Sequence, residues 1–315
     1  MNPALPEEAA DFGAAAEKAF AALGGVGIAR NAEADPRVRQ DVAAALRSLG
    51  AEDLDPRDDL STAAAASELC RVAGRVALPY PVASALVRDP DGSPTAVVGA
   101  ITSPTIVDHG DLFDEWLLVT IDGLACKAAP TGERLGSKLG PFVCEVGRET
   151  HERQSRGGDA ALWLSLGAWR VLGCVQRALE LAVEHVRGRD QFGQKLSQFQ
   201  AVRFQLADAA VAVAGLEELC LYTTWRLWSA PDDAVTDALA LRLFALDTAR
   251  TVLRTSQQLH GASGVCDEYD VSVLARLVQP DLRLPFGSTS TTALLAGAIA
   301  RGGFASLFPQ GGAAD

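Results

Sequence analysis

A chain of 315 residues, 48% hydrophobic and 22% charged, is long enough for two or three structural units around a substantial core. Its formal charge of −12 argues against nucleic-acid binding, which needs Lys and Arg to displace phosphate counterions, and against anionic membrane surfaces. The acidic start from Met1 to Gly13 lacks the basic and apolar regions of a secretory signal, and no run of about 18 apolar residues occurs, so a cytoplasmic protein is expected.

The first part, residues 1–85, is Ala- and Leu-rich with helical periodicity, and we read it as an N-terminal helical domain. Candidate helices run from Pro6 to Leu23, Asp35 to Leu49 and Ser61 to Val76. They are stopped by Gly24-Gly25, by Gly50 and by Pro79-Tyr80-Pro81.

Residues 86–150 change character. Asp89-Pro90-Asp91-Gly92 is a strong turn signal, Thr95 to Ile101 and Trp116 to Ile121 are β-rich runs, and Ile121-Asp122-Gly123 has hairpin chemistry. The expectation is a small antiparallel β domain of roughly 60 residues.

Residues 151–315 read as long helices. Leu162, Leu166, Trp169, Leu172, Val175, Leu179, Val183 and Val186 fall on one helix face. Val202, Leu206, Ala209, Val213, Leu216 and Leu219 line a second helix, and Leu239, Leu243, Leu246, Ala249 and Leu253 a third. Ser197 and Asp232 are candidate N-caps, Gly188 and Gly261 candidate stops, and Ser288 to Arg301 a candidate fourth helix. Short connections make this an up-down four-helix bundle. The apolar stripes are bundle core and carry no function. The six cysteines are scattered without a Cys-x-x-Cys pair and read as buried free thiols. Four histidines without metal-ligand spacing argue against a zinc or di-iron site.

Chemistry concentrates at the joints of the bundle. The first is Arg187-Gly188-Arg189-Asp190-Gln191-Phe192-Gly193-Gln194-Lys195-Leu196. Arginines among glycines can approach a pyrophosphate closely and bind it by charge-assisted hydrogen bonds; a capped turn with solvated charges accounts for the same residues. The second is Gln257-Gln258-Leu259-His260-Gly261-Ala262-Ser263-Gly264. Backbone groups at such a turn can cradle a ligand, with Gln258 as donor and acceptor; a helix C-cap beside a polar His explains it equally well.

Taken together, the two joints resemble the C-terminal domain of the acyl-CoA dehydrogenase family. The first carries Arg189-Asp190-Gln191-Phe192-Gly193, then Phe199-Gln200, then Leu206-Ala207-Asp208. The second is similar to the family's Gln-x-His-Gly-Gly-x-Gly, with Ala262 in place of the second glycine, Glu268 after it and Arg276 further on. The resemblance implies a mostly α fold: an N-terminal helical domain, a reduced central β domain and a C-terminal four-helix bundle. It implies FAD as cofactor, with Arg189, Gln191, Phe192, Gln200, Gln258, His260, Gly261 and Ala262 reaching the adenosine diphosphate of a flavin held mainly by another subunit.

The family's flavin segment and acyl-CoA loop are not found in the β region. Phe286, in Leu284-Pro285-Phe286-Gly287-Ser288, stands where the resemblance places the catalytic glutamate, and the start of the first bundle helix offers only Asp159. Phenylalanine cannot take the α-proton of a thioester, so no catalytic residue is expected here. The expectation is a non-catalytic subunit of a heteromeric acyl-CoA dehydrogenase acting on an acyl-CoA, steroid-derived in one version. A larger partner of the same family would carry the acyl-CoA site and base. Two alternatives stand beside it: a self-sufficient homo-oligomeric dehydrogenase with a displaced base, and a scaffold that has lost flavin.

Overall fold

The computed structural model describes residues 5–149, 151–229 and 234–302. Five helices open the chain: α1 (Glu7–Ala22), α2 (Gly27–Ala34), α3 (Val38–Ser48), α4 (Leu60–Arg75) and α5 (Val82–Leu86). The short α2 was not expected, because eight residues with one glycine carry little periodic signal. Helix α4 starts one residue before the expected Ser61. Asp59 accepts a hydrogen bond from the Thr62 backbone at 2.7 Å while the Thr62 hydroxyl reciprocates, a capping box that sets the start.

The β region holds β1 (Thr95–Val97), β2 (Thr105–Asp108), β3 (Trp116–Val119), β4 (Leu124–Arg134), β5 (Val143–Arg148) and β6 (Arg153–Gln154). Their order is β1-β3-β4-β5-β2, with β6 beside β4. The turn at Ile121-Asp122-Gly123 joins β3 to antiparallel β4 as expected. The purely antiparallel unit is corrected: β1 pairs parallel to β3, Thr95 against Leu117, because β2 lies at the far edge of the sheet between them in sequence. Trp116 and Leu118 pack on one face of the sheet, and Leu117 and Val119 on the other with Ala160 and Trp163. Burial on both faces explains a continuous apolar run in place of alternation.

The bundle follows: α6 (Asp159–Gly188), α7 (Gln200–Ser229), α8 (Val235–His260) and α11 (Ser288–Gly302), with the short α9 (Asp270–Leu277) and α10 (Gln279–Arg283) between the last two. Helix α6, roughly 45 Å long at 1.5 Å per residue, is the axis of the molecule. It packs against α4, α7, α8 and the sheet, and its Trp169 and Leu172 share one core with Phe20 and Leu69 of the N-terminal helices.

Ser197 is not an N-cap. It lies in a 3-10 turn, Leu196–Gln198, and α7 begins at Gln200 after the extended Phe199. Asp232 lies outside the described residues. Five of the six cysteines are buried, but Cys266 is exposed, because the chain beyond α8 runs over the surface. Among the described residues no single helix is long and apolar enough to cross a membrane; α1 and α2 pass that test only as a pair bent by 52°.

Candidate functional site at the bundle joints

Helix α6 ends at Gly188 and the chain leaves it at Arg189, whose backbone is extended. A two-stranded hairpin follows, β7 (Asp190–Gln191) against β8 (Gln194–Lys195). Its turn residues, Phe192 and Gly193, both have positive φ, +52° and +80°, the combination a tight two-residue hairpin requires. Lys195 is consumed within the hairpin: its ammonium donates to Asp190 at 2.6 Å and to the Gly188 carbonyl at 3.1 Å. Arg187 faces a different groove, beside Arg71 and Glu180. Arg189 is left exposed, and its side chain makes no hydrogen bond or ion pair among the described residues.

Helix α8 ends at His260, and Gly261 takes φ +63° and ψ −135°, a conformation essentially reserved for glycine. A β-carbon at Gly261 would meet nothing within 4 Å, so the backbone there faces open space. A 3-10 turn, Gly261–Val265, carries the chain onward.

These two ends meet. A cavity of about 560 Å³ is lined by Arg189, Gln191, Gln258, His260, Gly261 and Ala262, six of the eight expected contacts. The other two do not line it. Phe192 stands at the hairpin tip, 88% exposed, edge-on to Phe199 with ring centroids 6.3 Å apart. Gln200 is exposed at the first turn of α7. Glu268 is exposed, and Arg276 is occupied by Glu33 and the Lys138 carbonyl.

Sequence reasoning missed His185, Gln205, Ser263 and Tyr269 in the same lining. His185 was within reach, since it lies in the last turn of α6, four residues before Arg189, whose backbone N–H donates to the His185 carbonyl. Its imidazole stacks on that of His260, centroids 4.4 Å apart and planes 27° from parallel. Nδ1 of His260 lies 2.7 Å from the Ser256 carbonyl, so it carries hydrogen and donates. Burial, His260 and Arg189 together hold the pKa of His185 below its ordinary value. Among the described residues no carboxylate lines the cavity. In a chain of charge −12, such a cavity with an unpaired arginine is suited to an anion.

The seam between sheet and bundle is different. Phe286 is buried against Ala161, Leu164, Ala238 and Leu239. Arg242 holds its segment by donating to the carbonyls of Leu284 and Phe286, both at 2.7 Å. The adjoining space, between Asp108, Trp163, Arg170 and Asp281, is only about 50 Å³. Arg170 donates to Asp281 at 3.2 Å and to the Tyr80 carbonyl at 2.8 Å. Burial, with Asp281 nearby, raises Asp108 to about 7, and its Oδ1 has no partner. Asp159 is buried and paired with Arg57 at 3.0 Å. Among the described residues no group of three or more His, Cys, Asp or Glu could hold a metal ion.

The family model for the C-terminal domain of acyl-CoA dehydrogenases matches residues 166–290, which take in both joints. Over that segment the chain is similar to acyl-CoA dehydrogenases. Acyl-CoA dehydrogenase FadE28 of Mycobacterium tuberculosis is 28% identical over 223 residues, covering 65% of each chain. Alignments to the first curated relatives take in from 29% to 65% of their lengths. Among solved structures, the ChsE4-ChsE5 complex from Mycobacterium tuberculosis is similar with a TM-score of 0.77 at 17% identity, over 95% of this chain and 99% of that one. The Tcur3481-Tcur3483 steroid ACAD variant is similar with a TM-score of 0.79 at 18% identity, over 94% and 98%. At such identities these two likenesses establish the fold.

The similarity of residues 166–290 to the acyl-CoA dehydrogenase C-terminal domain implies FAD as the cofactor. The joint fits the diphosphate end of such a group: an unpaired cation at Arg189, the amides of Gln191 and Gln258, and open backbone at Gly261. The sheet–bundle seam, at about 50 Å³, is far smaller than the joint cavity of about 560 Å³.

Proposed function

We propose that this chain is the FAD-completing, non-catalytic subunit of a two-component acyl-CoA dehydrogenase. It would act in a heterodimer or heterotetramer with a larger member of the same family that carries the acyl-CoA site and the base. When bound, the flavin accepts the hydride that leaves the β-carbon of the acyl-CoA during α,β-desaturation. The work of this chain is binding and orientation. Arg189 holds the pyrophosphate through charge-assisted hydrogen bonds, Gln191 and Gln258 supply amide donors and acceptors, and Gly261 lets the ligand approach the backbone. Phe192, exposed at the hairpin tip, meets the partner subunit.

The observation that carries this reading is a contrast within one molecule. The joint cavity of about 560 Å³ is open and cationic, whereas the seam beside Phe286 is closed to about 50 Å³ and has no glutamate. Both solved neighbours named above pair two components, and one is a steroid ACAD, which supports a two-component assembly and a steroid-derived acyl group.

Co-expression with the larger subunit tests it. The expected product is a yellow complex with one FAD per unlike pair, while the chain alone retains FAD poorly. Stoichiometric FAD in the isolated chain overturns the reading.

One observation favours a second reading, a self-sufficient dehydrogenase with a displaced base. Asp108 is a carboxyl raised to about 7 with an unpartnered oxygen on the sheet–bundle seam. Turnover of an acyl-CoA by the pure chain, abolished in Asp108→Asn, would establish it.

A further inference from the structure

The joint cavity lies between two helix C-termini. Helix α6 ends at Gly188 and α8 at His260, and both contribute their last turns to the lining. A helix C-terminus carries partial negative charge, so this is the opposite of the N-terminal arrangement that commonly holds phosphate. An anion held here has to be met by side-chain cations. Arg189 supplies one positive charge, and a pyrophosphate diester carries two negative charges.

The remaining source of positive charge is the stacked histidine pair. His185 sits in the last turn of α6 and His260 at the end of α8, where the helix ends favour a charged imidazolium. With centroids 4.4 Å apart, the rings repel each other when both are charged, so the pair carries at most one proton near neutrality. Nδ1 of His260 already donates to the Ser256 carbonyl, which fixes the tautomer of that neutral ring. The charged or titratable groups facing the pair are Arg189 from the end of α6 and Tyr269 from the segment before α9. The hairpin, the 3-10 turn after it and α7 contribute only neutral side chains, Gln191, Leu196, Val202 and Gln205.

We propose that the His185–His260 pair is a proton-linked anion clamp: binding of a pyrophosphate diester at the joint takes up one proton on the pair, so affinity falls as pH rises. This rests on the reading of the joint as a pyrophosphate seat and adds its regulation. In the free chain, burial, His260 and Arg189 all hold His185 below its ordinary pKa. A bound dianion raises the pKa of the pair. Affinity is therefore greatest below the pKa of the free pair and declines until pH exceeds that of the bound pair.

ADP-ribose is a suitable probe, because its pyrophosphate is a diester with constant charge near neutrality. Calorimetric titration of the full chain and of its complex, from about pH 5.5 to about pH 8.5, is expected to show affinity falling about tenfold to a hundredfold as pH rises. Repeating the titration in two buffers of different ionisation heat counts the protons, with uptake approaching one near the middle of the range. His185→Gln should flatten the profile and leave the high-pH affinity in place, whereas Arg189→Ala should lower affinity at every pH. Should His185→Gln fail to fold, the wild-type proton count decides alone. Measurable binding that is flat with pH and takes up no proton overturns the clamp and leaves the seat standing. Absence of binding at any pH, in chain and complex alike, overturns the seat and the clamp with it.

Discussion

Arg242 reaches across from α8 to Phe286, donating a 2.7 Å hydrogen bond to its carbonyl while the guanidinium carbon lies 5.2 Å from the centre of its ring. Phe286, which the sequence resemblance sets at the family's glutamate position, is thus held twice by one buried arginine, whose pKa burial lowers to about 10. Phe286 packs against Ala161, Leu164, Ala238 and Leu239, and its role is packing. Phe286→Ala should cost about 3 to 5 kcal/mol of unfolding free energy by urea titration. It should leave flavin reduction in the co-expressed complex unchanged at equal FAD occupancy. A stability change below about 1 kcal/mol would mean that Phe286 is not part of the core.

Gly74 of α4 and Gly173 of α6 form a close backbone crossing. A β-carbon on Gly74 would strike the Arg170 carbonyl, and one on Gly173 the Arg71 carbonyl. Backbone on backbone leaves no flexible neighbour to yield, so either alanine forces α4 and α6 apart along the main core. Gly74→Ala and Gly173→Ala should each destabilise by roughly 2 to 4 kcal/mol, read as a fall in thermal midpoint. Wild-type stability in either variant would refute the close crossing.

Arg189 is the cation left over when Lys195 is paired with Asp190. Its removal should weaken FAD retention in the complex by about tenfold to a hundredfold, equivalent to roughly 1.5 to 3 kcal/mol for a charge-assisted bond. The exposed side chain makes no intramolecular contact that folding needs, so the thermal midpoint of the isolated chain should not move. Unchanged FAD affinity would return Arg189 to the status of a solvated charge.

Asp108 links stability to pH. Its folded pKa of about 7 lies above the ordinary 3.8, so the folded state holds a proton that the unfolded state releases. That contribution is complete below about pH 4 and is lost as pH rises through about 7, at up to about 1.4 kcal/mol per pH unit. Asp108→Asn, always neutral, should remove this slope and be more stable than wild type above pH 7. Urea midpoints measured from about pH 5 to about pH 8 check it. Parallel profiles for the two proteins would show that Asp108 is ionised in the fold.

Asp159 tests where the base lies. It is held by Arg57 at 3.0 Å, and burial pushes its pKa up despite that partner. If the base belongs to the larger subunit, Asp159→Asn should weaken the N-terminus of α6 yet leave stopped-flow flavin reduction within about threefold at matched occupancy. A loss of a hundredfold or more, the scale of a missing general base, would place the base in this chain.

Local signals made much of this protein legible without coordinates. Helical stripes such as Leu162 to Val186 located the bundle, because burial of one face imposes a period that the chain itself displays. The two joints and Phe286 stood out as residue types in a recognisable order, and six of the eight expected contacts do share one cavity. What sequence could not supply depends on which distant segments meet. The parallel pairing of β1 with β3 follows from β2 occupying the far edge of the sheet. The stack of His185 on His260 joins side chains 75 positions apart, and the shift of Asp108 comes from burial and from Asp281, on another element. Periodicity and capping are properties of neighbours along the chain. Strand order, the closed seam and the electrostatics of the joint arise from long-range contacts, which only the tertiary structure decides.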